Sequence, residues 1–435
     1  MKTYRNYNQD QISLIPQTFE EWLRPDHPAR FINDVVDEID IDEIQKVYET
    51  EMRGYPPYHP RMMLKILIYG YCTGVRSSRK IAQKCEDEVA FRYLAANNFP
   101  KFRAIADFRQ RHLNAFKKLF VEILTICQTT GLVKLGHVSL DGTKIKANAS
   151  KHKAMSYERM QAEEERLSKE IEALVVESQK IDQTEDQLYG KNKRGDEIPK
   201  ELRRSEDRLV KIRKAKAALE KRVAKERKNK NDDDPPSSPK GKDQYNFTDP
   251  QSRIMPGSDD KKSFIQGYNA QLAVDSKRQI IVANNLCNQS NDQKQLKEVV
   301  PKIKANLNQQ PDELSADAGY FSEDNINYLR EEERIAPYIP PDRQKHGVMI
   351  KNPRGPIPPN MSIADGMRRF LSTKRGRKRY ALRKITVEPV FGQIKSCMGF
   401  RQFSLRGLAK CQGEWDLVCL CHNLLKLYRF GNDMA

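Results

Sequence analysis

The run HVSLDGTKIK, residues 137–146, decides how the chain is read. Apolar Val138 and Leu140 alternate with smaller residues and stop at Asp141, the pattern of a strand that delivers a carboxylate to its end. Helical sequence precedes it, a long charged stretch follows, and strand-like sequence resumes only from Phe264. Two later acids, Asp317 and Glu388, stand in equally marked contexts. Three carboxylates gathered from distant positions are what a site for two hard cations requires, because magnesium prefers oxygen ligands and keeps open positions for water and phosphate. Each acid also has a plainer reading. Asp141-Gly142 and Asp317-Ala318-Gly319 are turn-like, and a glutamate such as Glu388 on an amphipathic helix is ordinarily solvated beside its helix neighbours Arg383 and Lys395.

Composition sets the bounds. A chain of 435 residues is too long for one compact core and calls for two or three domains, which 38% hydrophobic content can build. A formal net charge of +18 and a pI near 9.4 favour a polyanionic partner. The cysteines, at 72, 85, 127, 287, 397, 411, 419 and 421, show no CxxC spacing and mostly lie in apolar periodic segments, which points to buried free thiols in a reducing compartment. Cys419, Cys421 and His422 resemble a ligand cluster, but no second cluster completes a zinc site, so helix packing is the better account. The N-terminus lacks the apolar core of a signal peptide, and no stretch approaches the roughly 20 apolar residues of a membrane span. The expectation is a soluble cytoplasmic protein.

Residues 1–130 read as helical. Phe31, Ile32, Val35, Val36 and Ile39 recur at helical spacing, and after Tyr55-Pro56-Pro57 a second apolar segment runs from Met62 to Tyr71. In residues 74–94, Ser77 and Ser78 offer N-caps, and Arg76, Arg79 and Lys80 crowd the first turn. This is either part of a DNA-reading helix-turn-helix or a basic surface helix of a bundle. Residues 102–127 form an amphipathic helical region with a basic flank. Between Met155 and Lys230, Met160, Leu167, Ile171, Leu174, Ile181 and Leu188, then Leu202, Leu209, Ile212, Leu219 and Val223, form two heptad-like stripes separated by the turn 190–199. Two antiparallel helices fit better than one coil. The polar run 231–243 reads as a flexible linker.

Phe264 to Cys287 gives two strand-like runs around the turn Asp275-Ser276-Lys277. A helix from Asp292 to Leu307, a short strand from Glu313 ending in Asp317, a helix from Glu323 to Glu333 and a strand at 335–340 follow. Pro-rich basic sequence from Lys351 to Arg379 precedes helices at about Tyr380 to Lys395 and Gly413 to Tyr428. This order is that of an α/β fold with a ribonuclease H-like mixed sheet. A helical N-terminal DNA-binding domain (1–130) precedes it. The catalytic domain takes 131–150 and 244–435, interrupted by the hairpin and linker at 151–243.

The chain resembles the DDE transposases of bacterial insertion sequences, in particular those with a tyrosine, arginine, glutamate, lysine signature near the third acid. The resemblance rests on Tyr380, Arg383, Glu388 and Lys395 within YALRKITVEPVFGQIK, on SLDGTKIKANAS around Asp141, and on YNFTDPQSR at 245–253. GYNAQLAVD at 267–275, ADAGY around Asp317 and GFRQFSLRG at 399–407 extend it over nearly the whole chain. One departure is that Lys384 occupies the usual arginine position, one residue after Arg383. The resemblance implies Asp141, Asp317 and Glu388 as catalytic acids holding two Mg²⁺, with Mn²⁺ able to substitute. It implies cleavage at element ends followed by strand transfer. It also implies phosphate contacts from Tyr380, Arg383 or Lys384, and Lys395, with Lys144 and Lys146 as further backbone contacts. Transposon-end and target DNA, and a homodimer or higher synaptic assembly, are the implied partners. A nuclease without strand transfer and an inactive DNA-binding relative are the alternatives, and the presence of all three acids argues against the latter.

Overall fold

In the computed structural model the described residues are 18–49, 56–189, 200–228, 239–257, 263–342, 353, 355, 358 and 360–431. The chain first forms α1 (Phe19–Trp22), α2 (Pro28–Glu38), α3 (Asp42–Glu49), α4 (Pro60–Cys72), α5 (Ser78–Asp87), α6 (Val89–Leu94), α7 (Phe102–Arg111) and α8 (Leu113–Thr129). Proline at the first turn starts α2 and α4, where the missing N–H costs nothing, and the preceding His27 and His59 rings accept from the backbone N–H two residues on. Residues 74–94 are two helices rather than one, because the backbone turns extended at Glu88. Residues 102–127 likewise break at His112.

The sheet strands are β1 (Val138–Lys146), β2 (Ala154–Ser156), β3 (Gln244–Asn246), β4 (Arg253–Pro256), β5 (Phe264–Asp275), β6 (Ile281–Cys287), β7 (Glu313–Ala316) and β8 (Ala336–Tyr338). Their main order is β4-β5-β1-β7-β8, and β6 pairs β5 as well. β1 runs antiparallel to β5, and β7 and β8 are parallel to β1 and β7 respectively. With helices on this mixed sheet and an all-α region before it, the fold is ribonuclease H-like. One expectation is corrected here. β1 does not stop at Asp141 but continues to Lys146, because β5 supplies a partner along its whole length.

The insertion is a helical hairpin of α9 (Tyr157–Tyr189) and α10 (Lys200–Lys228). Met160 and Leu167 pack against Leu209, Ile212 and Leu219 in a core of their own. Glu163 pairs with Arg208, and Glu164 with Arg213 and Lys216. Tyr157 donates to Glu220 near the base and Glu170 accepts from Ser205 farther out, so the helices are antiparallel. β2 and β3 zip together at its base. The turn 190–199, most of the polar linker, and the side chains of Ile181, Leu188 and Leu202 lie outside the described residues.

The remaining helices are α11 (Leu296–Leu307), α12 (Glu323–Asn327), α13 (Ile363–Ser372), α14 (Lys374–Gly392) and α15 (Leu408–Gly431). The Pro-rich reading of 351–379 missed α13 and the start of α14. Ser362 caps the first by accepting from Asp365 N, and Thr373 caps the second by accepting from Gly376 N. α15 is nearly enclosed, and Gly413 lets it close on α8: a Cβ there would lie 2.8 Å from that of Leu113. Arg109 donates to the Tyr71 hydroxyl, which donates to Glu414 Oε1 at 2.8 Å, while Glu414 Oε2 accepts from Ser404 N. One buried apolar cluster therefore runs from Leu23 in the helical region to Leu427 in α15. Cys419, Cys421 and His422 are buried within it, and His422 Nε2 donates to Gln279 O, so they serve packing.

Candidate active site and nucleic-acid interface

The strand register builds the first half of the site. β1 and β7 pair as Val138 with Leu314, Ser139 with Ser315 and Leu140 with Ala316, so the next positions, Asp141 and Asp317, come side by side at the end of β7. Asp141 lies mid-strand on β1, with Oδ1 accepting from Gly142 N at 2.7 Å. Asp317 ends its strand and caps a single 3₁₀ turn by accepting from Gly319 N at 2.9 Å. Burial pushes the Asp141 carboxyl up to about 7; the Arg383 guanidinium opposes this, while Asp317 and Asp292 add to it.

The second half comes from α14. Arg383 Nη1 lies 2.7 Å from Asp141 Oδ2, and Nη2 lies 3.6 Å from Glu388 Oε1, so one guanidinium stands between two of the three acids. Its carbon is 6.0 Å from the Tyr380 ring centroid. Burial is the largest influence on Arg383 and works against its charge, but Asp141, Tyr380, Asp317 and Glu388 together outweigh it, so the guanidinium is held more firmly protonated than usual. Lys384, the next residue, is exposed, and Arg383 is the cation paired with the acids. Beyond Gly392 the helix widens into a π turn over Gln393–Cys397, which carries Lys395.

The donor set suits a hard divalent ion: all oxygen, with Asp141 desolvated to the point that its charge wants neutralising. Among the described residues, no three acids, histidines or cysteines stand close enough to hold a metal as they are placed. Arg383 fills the gap between Asp141 and Glu388 that a cation would bridge.

A basic cleft of about 420 Å³ is lined by Lys144, three residues past Asp141 on β1, together with Lys146, Lys151, Lys395 and Arg401. The segment after α14 builds its rim by extending β1: Phe403 N donates to Lys146 O at 2.9 Å.

Two family models match the chain: Transposase domain (DUF772) over residues 17–111 and Transposase DDE domain over residues 233–424. The chain has the domain architecture of a DDE transposase. Its general function is thus DNA transposition, with DNA binding as a property of the family. No curated protein and no solved structure matches it. The DDE match includes Asp317 and Glu388 but not Asp141, which the helical hairpin separates from the rest of the sheet in sequence. No described helix of this transposase is long and apolar enough to cross a membrane.

The cations expected to read DNA bases differ in what they touch. Arg76 donates to Gly399 O at 2.6 Å and Gln402 O at 3.0 Å and stacks over Phe400. Its guanidinium is held by main-chain carbonyls and joins the segment before α5 to the cleft rim. Arg79 lies over the Phe102 ring, and Lys80 is exposed. A further acid, Asp292, sits beside the site and was read only as the start of a helix. Nothing periodic in sequence marks it, because its donors come from β1 and β5.

Proposed function

We propose that this transposase cuts DNA at the ends of its element and joins the freed 3′-hydroxyl to target DNA, with Asp141, Asp317 and Glu388 as its catalytic acids. The observation that carries the reading is the pair of side-by-side aspartates, one desolvated and bridged through Arg383 to Glu388, on a strand whose Lys144 and Lys146 line a basic cleft. Asp141, Asp317 and Glu388 would hold two magnesium ions, whose chemistry there is to activate water or a 3′-hydroxyl and to neutralise the leaving oxygen.

The chain's own groups do the positioning. Lys144, Lys146, Lys151, Lys395 and Arg401 bind the DNA backbone along the cleft. Arg383 exchanges its acid partners for the scissile phosphate, which offers a planar guanidinium two oxygens at once. Tyr380, half-buried beneath Arg383, keeps that side chain aimed at the site and offers a hydroxyl to the same phosphate. Walls of β1 and α14 restrict bulk water around Asp141.

The test is incubation of the full chain with labelled candidate end DNA, target DNA and magnesium. Both nicked ends and joined products are expected. Nicking without joining would instead identify a nuclease, and binding without nicking an inactive relative.

A further inference from the structure

A polar chain lies behind the two aspartates and converges on Asp292. Its Oδ1 accepts from Asn269 Nδ2 at 2.6 Å, Gln271 Nε2 at 2.8 Å and Lys144 Nζ at 3.3 Å. Asn269 and Gln271 are fully buried on β5, and Lys144 is three residues past Asp141 on β1. Gln271 crosses β1 where Gly142 has no side chain: a Cβ on Gly142 would fall 2.3 Å from Gln271 Nε2. The other end of Gln271, Oε1, accepts from the buried hydroxyl of Tyr320. Tyr320 belongs to the 3₁₀ turn that Asp317 caps, and its N–H donates to Asp317 O at 3.2 Å. Asp292 Cβ also lies 3.9 Å from where a Cβ of Gly319 would be.

A single carboxylate thus ties together the strand carrying Asp141, the turn carrying Asp317 and the lysine at the edge of the basic cleft. A neutral amide network could join the strands. Three donors on one oxygen, one of them an ammonium, need the charge. Placing a further carboxylate behind two others is electrostatically costly, so packing alone is a poor reason for its presence.

We propose that Asp292 is a positioning residue of the transposase: it fixes the Lys144 ammonium toward the DNA backbone and, through Gln271 and Tyr320, sets the spacing of Asp141 and Asp317. This rests on the reading of those acids as the catalytic site, yet one of its readouts does not depend on activity. Residues that orient catalytic ligands typically contribute about 10- to 100-fold to activity or metal affinity.

The experiment uses the full chain with Asp292→Asn and Asp292→Ala. Asn keeps an acceptor for Asn269 and Gln271 and removes only the charge toward Lys144; Ala removes both. In DNA-free protein, amine-labelling with mass-spectrometric readout should show Lys144 reacting several-fold faster in both variants, with Lys146 unchanged. Magnesium-dependent end cleavage at saturating DNA should fall roughly tenfold in Asp292→Asn and further in Asp292→Ala, with the Kd for end DNA shifting far less. Should Asp292→Ala fail to fold by melting, Asp292→Asn decides alone. Unchanged Lys144 labelling, or unchanged cleavage in an active protein, overturns the assignment. Loss of cleavage in the wild type itself would overturn the proposed function, and the labelling result would still judge Asp292.

Discussion

Asp141→Asn should stabilise the protein while abolishing end cleavage, and the stabilisation should depend on pH. The Asp141 carboxyl is displaced from 3.8 to about 7, chiefly by burial. Ionising it in the folded state therefore costs about 4 kcal/mol at one pH unit per 1.36 kcal/mol. The side chain keeps 17% exposure, so water trims the cost, and about 2 kcal/mol is the figure to test. Because the folded value lies above the unfolded one, the folded state binds the extra proton. Stability from this group is complete below pH 3.8 and is lost as pH rises through about 7. The amide has no such proton to lose. It also keeps an oxygen for Arg383, whose charge retains Glu388 nearby, so the substitution does not strand a buried cation.

The assay is thermal or urea unfolding of both proteins at pH 4, 6 and 8 without divalent ions. Little difference is expected at pH 4. At pH 8 the variant should melt roughly 2 °C higher, since a chain of this length has an unfolding entropy of about 0.9 kcal/mol/K. Adding magnesium at pH 8 should raise the melting temperature of the wild type and leave that of the variant nearly unchanged. A variant less stable than wild type at pH 8, or a gap that ignores pH, refutes the reasoning.

Arg383→Ala should reduce cleavage by about two orders of magnitude, as loss of a transition-state charge contact does, and Lys384→Ala should leave the cleavage rate close to wild type; equal losses would mean that both face the phosphate. Gly413→Ala should lower the urea midpoint: a helical alanine would add about 1 kcal/mol of stability by propensity, but the 2.8 Å approach to Leu113 forces α15 and α8 apart, at about 1 to 3 kcal/mol. A higher midpoint would mean the helices separate freely. The double change Arg79→Ala, Lys80→Ala should weaken preference for element ends over random DNA with an unchanged melting temperature, whereas Arg76→Ala should lower the melting temperature; competition binding and melts separate the two.

Sequence exposed the parts of this fold that local pattern determines. Alternation around Val138 and Leu140 marked β1, and the turn at Asp275 marked the β5–β6 hairpin. The end of β1 was misjudged because the continuation to Lys146 depends on pairing with β5, more than a hundred residues away in the chain. α13 was hidden because prolines just before it and a glycine and two arginines within it obscure its apolar positions, and Ser362 was the one local sign of its start. The choice between Arg383 and Lys384 was a question of helical phase. Adjacent residues on a helix point about 100° apart, so only the docking of α14 on the sheet could decide it. Asp292 was invisible for the same reason as the end of β1: each of its donors belongs to a strand distant in sequence.

The three acids are not equally constrained, and that asymmetry orders events at the site. Asp141 and Asp317 are set by adjacent parallel strands and by main-chain hydrogen bonds from Gly142 and Gly319. Glu388 stands on a helix with its side chain 52% exposed, joined to the strand acids through Arg383 at 3.6 Å. Two acids are thus held by adjacent strands, while the third is joined to them through Arg383. A guanidinium leaves a buried carboxylate readily only when another anion receives it, and a DNA phosphate in the basic cleft is the anion at hand. On the proposed function, release of Arg383 from the acids would therefore follow DNA binding rather than precede it. Cutting without correctly placed DNA would be suppressed, because Arg383 would stay paired with Asp141 until a phosphate takes its place.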